Sequence, residues 1–171
     1  MDKLDQFLNR AEGLLSRLEN ILPGAQPQAP DWQAAAAFRW DHQQRSLHPV
    51  PNFQRIALDD LLGIDDQKNR IQQNTMQFVR GGTANNVLLS GARGTGKSSL
   101  VKALLNEYAG QGLRVIQIDK QGLIDLSHIV GLVQGRAERF ILYCDDLSFN
   151  ADEPGYQSLK AALDGDLVAF S

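Results

Sequence analysis

A single cysteine, Cys144, stands in a chain of 171 residues, so no disulfide can close within it, and a reducing compartment suits it. No apolar run approaches the roughly 20 residues that a membrane-spanning helix requires. The N-terminus, Met1-Asp-Lys-Leu-Asp-Gln6, lacks a basic segment leading into an apolar run. A secretory signal is therefore not expected, and the cytoplasm is the expected location. Positive charge is not in excess either: 17 Lys and Arg stand against 20 Asp and Glu, a net charge of −3. That balance argues against a broad electrostatic grip on nucleic acid, leaving only a local basic patch open. His42 and His48 lie near each other, but no cysteine accompanies them and their spacing is not a regular ligand spacing, so surface or packing roles are expected. With 22% charged and 43% hydrophobic residues, the composition is that of one ordinary globular domain, long enough for a sizeable core.

Against this plain background one stretch stands out, Asn86-Val-Leu-Leu-Ser-Gly-Ala-Arg-Gly-Thr-Gly-Lys-Ser-Ser-Leu-Val101. It contains G-x-x-x-x-G-K-S from Gly91 to Ser98. The apolar run Val87-Leu-Leu-Ser90 before it predicts a buried strand. Leu100, Val101, Leu104, Leu105 and Tyr108 after it fall on one face of a helix that stops near Gly110. Strand, glycine loop and helix form the context of a phosphate-binding loop. Glycines let successive N–H groups turn inward around an anion and leave no Cβ in its way, and the helix directs its positive end at the same point. The loop residues Gly91, Ala92, Arg93, Gly94, Thr95, Gly96, Lys97, Ser98 and Ser99 are thus the candidates for holding a nucleoside triphosphate. Lys97 is expected to reach the β- and γ-phosphates, and the Ser98 hydroxyl to ligate magnesium.

Elsewhere the pattern alternates between helix and strand. Leu4, Phe7, Leu8, Ala11, Leu14, Leu15, Leu18, Ile21 and Leu22 make an apolar stripe that predicts an N-terminal helix, either docked on its own domain or offered to a partner. Pro23 to Pro30 reads as a linker. Asp31 is placed to cap a short helix through Ala34–Ala37, followed by irregular, proline-marked chain to Pro51. A helix is predicted over Asp66–Val79, a strand over Leu113–Ile118 and a short helix over Leu126–Val133, on which His128 is expected at the surface. Pro154 opens a last helix that Gly165 ends.

Phe140-Ile-Leu-Tyr-Cys-Asp145-Asp146 is the second informative site: an apolar strand ending in paired carboxylates, one strand–helix unit beyond the phosphate loop. This is the form of a Walker B strand. Asp145 would hold magnesium, and Asp146 would position or activate the attacking water. Cys144 is expected to be a small buried hydrophobe. Apolar strands alternating with helices predict a parallel sheet covered on both faces, with the loop and the carboxylates at the carboxyl ends of their strands.

Three segments, Leu58-Asp-Asp-Leu-Leu-Gly-Ile-Asp-Asp-Gln-Lys68, Asn85 to Lys102 and Arg139 to Phe149, resemble AAA+ ATPases, and more closely a bacterial AAA+ family of unknown function. The resemblance covers roughly residues 37–167. It implies that Leu62, Gly63 and Ile64 line an adenine pocket, that Gly91 to Ser98 are Walker A, and that Asp145 and Asp146 are Walker B. Pattern and resemblance together give a domain division: an N-terminal amphipathic helix over 1–22, a linker and short helix over 23–52, and a partial ATPase domain over 53–171. Two departures accompany it. The second acid of Walker B is usually Glu in AAA+ proteins, and Asp146 is about 1.5 Å shorter in reach. After Asp164-Gly-Asp-Leu-Val-Ala-Phe-Ser171 no sensor strand, arginine finger or helical lid is readable, so the chain reads as a fragment or shortened product. The missing sensor strand would lie between the phosphate-loop strand and the Walker B strand.

The leading expectation is an ATP-binding AAA+ module whose full-length, oligomeric form hydrolyses ATP with magnesium to remodel an unknown protein partner. The alternative is a nucleotide-dependent switch with little turnover. A small-molecule phosphotransferase would need an acceptor site and lid arginines, and no segment supplies them. Because Lys97 carries the main fixed positive charge for the phosphates, Lys97→Ala is expected to lose ATP affinity severely. Calorimetry with magnesium checks this, and unchanged affinity removes Lys97 from the site.

Overall fold

The structure, a computed structural model, describes residues 30–51, 53–145, 147 and 154–164. Four strands form one sheet in the order β2-β1-β3-β4. They are β1 (Ala37–Asp41), β2 (Ser46–Pro49), β3 (Leu113–Ile118) and β4 (Arg139–Cys144). β1 and β2 form an antiparallel hairpin, while β1 pairs parallel with β3 and β3 parallel with β4. The helices are α1 (Asp65–Val79), α2 (Lys97–Tyr108), α3 (Leu126–Val133) and α4 (Pro154–Asp164).

Strand periodicity sorts the side chains into two cores. On one face, Ala37, Leu113 and Val115 meet Leu100, Leu104, Leu105 and Tyr108 of α2, with Ile71 of α1. On the other, Phe38, Trp40, Ile116 and Ile118 meet Leu123, Leu126 and Ile129, with Leu159 and Ala162 of α4 at the margin. β4 follows the same rule: Ile141 and Tyr143 border the first core, and Phe140, Leu142 and Cys144 the second. The mixed α/β architecture, a mostly parallel sheet flanked by helices, is the expected one. The four helices and β3 and β4 fall within a residue or two of their predicted bounds.

Two expectations are corrected. Ala37 does not belong to a short helix, and the chain after it is not irregular. Residues 37–41 and 46–49 are strands. Within β1, Phe38 and Trp40 are buried while Arg39 is exposed, a period-two pattern that overrides the helix propensity of the preceding alanines. Pro49 is compatible with β2 because that strand lies at the sheet's edge. Residues 87–90 are not a buried strand. They pair with no strand among the described residues; Leu89 is partly buried against the first core, but Leu88 is 83% exposed. The helix expected over 1–22 lies outside the described residues.

A buried carboxylate ties the hairpin to the rest of the domain. Asp125, at the start of α3 and 9% exposed, accepts a hydrogen bond from Trp40 Nε1 at 3.0 Å and lies 2.6 Å from His42 Nδ1. Arg45 of the hairpin turn approaches it at 3.9 Å. Gly122 permits this packing, since a Cβ there would stand 2.7 Å from Trp40 Cδ1. His128 is also not a simple surface residue: its ring lies against Trp40, centroids 5.6 Å apart. Burial acts to raise the pKa of Asp125, but the hydrogen bonds from His42 and Trp40 and the nearby charges of His42 and Arg45 outweigh it and hold the carboxyl below its ordinary value.

A depressed carboxyl pKa contributes stability that is present above the unfolded-state value near 4 and is lost as pH falls through the folded value. The melting temperature should therefore fall on acidification below about pH 4, and Asp125→Asn should flatten that part of the profile. Asp125→Ala, which leaves Trp40 Nε1 without its acceptor, should lose about 1–3 kcal/mol in urea denaturation at neutral pH.

Candidate functional site

The loop over residues 91–96 owes its shape to glycines in backbone conformations that other residues avoid. Gly94 and Gly96 have φ of +83° and +87°, and Gly91 has +147°. Gly96 is the residue that starts α2, and no side chain caps that helix end. The first turn of a helix leaves N–H groups without intrahelical partners, so here they are open to a ligand in the loop. Thr95 Oγ1 donates to the Ala92 carbonyl at 2.9 Å and braces the loop from within. Lys97 Nζ donates to the carbonyls of Gly91 and Ala92, each at 2.8 Å, so its ammonium lies folded against the loop.

β4 delivers the second half. Because β3 and β4 run parallel, β4 ends at the carboxyl edge of the sheet, where Asp145 follows Cys144. Ser98 Oγ donates to Asp145 Oδ2 at 2.9 Å, joining the first turn of α2 to the end of β4. A cleft of about 290 Å³ opens between them, lined by Arg93, Gly94, Gly96, Lys97, Ser98, Ser99 and Asp145. The two oxygen donors, a hydroxyl and a carboxylate, suit magnesium, a hard cation that keeps several waters and takes only one or two protein ligands beside phosphates. Among the described residues no group of three or more His, Cys, Asp or Glu forms a self-sufficient metal cage.

The structure thus brings Arg93, Gly94, Gly96, Lys97, Ser98, Ser99 and Asp145 together, with Gly91, Ala92 and Thr95 completing the loop. It does not bring Leu62, Gly63 and Ile64 to the cleft; none of them lines it, and Leu62 is 85% exposed ahead of α1. Asp146 lies outside the described residues. A larger polar cavity of about 560 Å³, with Leu58, Asp65, Lys68 and Glu107 in its wall, contains no loop residue. Its Lys68 is already engaged by Asp65 at 3.0 Å and by the Leu61 carbonyl.

One site contact was not anticipated: the Tyr143 hydroxyl lies 3.0 Å from Ser98 Oγ. The signal for it was alternation along β4, which puts residues 143 and 145 on the same face as α2.

A mostly parallel sheet flanked by helices, with this loop opening a helix, defines a P-loop NTPase-like fold. The chain belongs to the family described as "Protein of unknown function (DUF815)", which matches residues 33–171. It is also similar to a replication factor C large subunit from Methanococcus maripaludis (strain C6 / ATCC BAA-1332), 28% identical over 121 residues. That match covers 67% of this chain and 25% of the relative, so the chain spans about a quarter of the relative's length. No solved structure matches it. No helix among the described residues is long and apolar enough to cross a membrane.

Cys144 is half-buried beside the site. Its burial, with the negative charges of Asp119 and Asp145, pushes the thiol up to about 11. Since the thiolate is the reactive form, Cys144 is expected to resist alkylation. At pH 8, iodoacetamide should label the native protein at least about tenfold more slowly than the urea-unfolded chain. Equal rates would contradict this environment.

Proposed function

We propose that the chain binds ATP with magnesium in the cleft between the loop and Asp145, and that its full-length form hydrolyses ATP in an oligomer to remodel a protein partner. The observation that carries the reading is the juxtaposition of two separate pieces. The glycine loop opens an uncapped helix, and the Ser98 hydroxyl at its first turn meets the Asp145 carboxylate across 2.9 Å. A structural turn would need neither. Lys97 would exchange the carbonyls of Gly91 and Ala92 for β- and γ-phosphate oxygens, and the N–H groups at the start of α2 would take the remaining charge. Ser98 and Asp145 would hold magnesium, which when bound neutralises charge on the phosphates. Similarity to a protein named as the large subunit of replication factor C supports a multi-subunit assembly, and the AAA+ resemblance of the three motif segments supports ATPase activity in its subunits.

A second reading, a nucleotide-controlled switch with little turnover, is favoured by the residue at 146. Aspartate in place of the usual glutamate sets the carboxylate back by about 1.5 Å. A displacement of this size removes much of the effect of a water-positioning group.

Steady-state phosphate release and ATP affinity, measured side by side in the full-length protein, separate the two. Asp146→Asn should retain affinity and lower turnover, since the amide keeps the volume and loses the charge. Asp145→Asn should weaken magnesium-dependent binding together with turnover. Asp146→Glu should raise turnover if the native acid is a shortened form of the same base. Unchanged turnover in both Asp146 variants would place the catalytic acid elsewhere or leave the switch reading standing.

A further inference from the structure

The direction of each hydrogen bond around Ser98 follows from its neighbours. An ionised Asp145 has no proton to give, so across the 2.9 Å contact the Ser98 hydroxyl must be the donor. With its one hydrogen spent there, Ser98 Oγ can only accept across the 3.0 Å contact to Tyr143, whose phenol donates. A serine oxygen has four directions: the bond to Cβ, its own hydrogen and two lone pairs. Here Asp145 fixes the hydrogen and Tyr143 fills one lone pair. Among the described residues nothing else engages Ser98 Oγ, and the lone pair that remains is the place left for a cation.

From this geometry we infer that Tyr143 is a positioning residue for the cation site, orienting the Ser98 hydroxyl from the sheet. The inference rests on the ATP and magnesium reading above. One partner of Ser98, Tyr143, lies within β4 and the other, Asp145, directly follows its end, two residues apart, so the hydroxyl is held from the carboxyl end of one paired strand. Ser98 itself sits in the first turn of α2, next to a loop of left-handed glycines. Tyr143 is anchored by its ring against the first core, alongside Ile141. A short side chain beside a glycine loop is thereby oriented from a strand that is paired along its length to β3. An apolar residue at position 143 would fill the core equally well but would leave that lone pair of Ser98 without its donor, with Asp145 alone to orient the hydroxyl.

Tyr143→Phe keeps the ring and removes only the hydroxyl. ATP affinity of the full chain is measured by calorimetry in saturating MgCl2 and again in EDTA. The magnesium-dependent gain in affinity should shrink about three- to tenfold in the variant, while affinity in EDTA stays at the native value. In a Ser98→Ala background the same Tyr143 change should alter neither figure, because the group it positions is gone. Equal losses with and without magnesium would mean a packing role and overturn the inference. An unchanged or larger magnesium-dependent gain would also overturn it, the latter by showing that the phenol competes with the cation. A native chain that binds no ATP in either condition would instead overturn the nucleotide reading, and this inference with it. Thermal melts of both variants verify that the core is intact.

Discussion

Strand β3 has a neighbour on each side and a core on each face, and no other described strand is buried so fully. Leu113, Val115, Ile116 and Ile118 are all 3% exposed or less. Its backbone groups are matched by β1 and β4 at once, which is what a strand needs when water is excluded from both faces. The two elements that bring Ser98 and Asp145 together, α2 and β4, are positioned by reference to this strand. It sets the register of β4, and therefore where Asp145 emerges. It also supplies the surface on which α2 lies, and therefore where Ser98 begins. Two groups separated by 47 positions in the chain meet because both elements index to one buried strand.

The second core plays a different part. It closes the far face of the sheet with α3 and α4 and fastens the β1–β2 hairpin through Trp40 and Asp125. A buried carboxylate with an indole, an imidazole and a guanidinium around it is costly to assemble and costlier to break, because each partner removed leaves a desolvated group behind. The hairpin is thus joined to the domain by a polar contact of defined geometry as well as by apolar area.

Most of this was legible in the sequence where periodicity and glycine placement are strong. β3, β4 and all four helices announce themselves that way, as does the loop with its lysine and serine. The hairpin was not, because the alanines before Phe38 read as helix and the prolines around His48 read as loop. The alternation Phe38-Arg39-Trp40-Asp41 is only four residues long, too short to win against them without the pairing to β3. Residues 87–90 fail in the opposite sense. Their apolar run promises a strand, but a strand is completed by neighbours, and none of the described residues pairs with it. Tyr143 passed as one more apolar letter in the Walker B run, since its hydroxyl acquires meaning only once α2 is laid over β4.

The folded-back ammonium of Lys97 has a consequence for how the cleft treats anions in general. With two carbonyl oxygens already on that nitrogen at 2.8 Å, docking is an exchange of acceptors rather than the filling of a bare charge. The enthalpy released on docking is then the difference between two neutral carbonyl acceptors and the charged oxygens that replace them, less than a bare ammonium would give. A lone, compact oxyanion gains only that difference. An extended chain of phosphates also engages the row of backbone N–H groups at the helix start, and these have no intrahelical acceptor to surrender. Discrimination among anions at this site should therefore follow their length and the number of amides they span as well as the charge they carry.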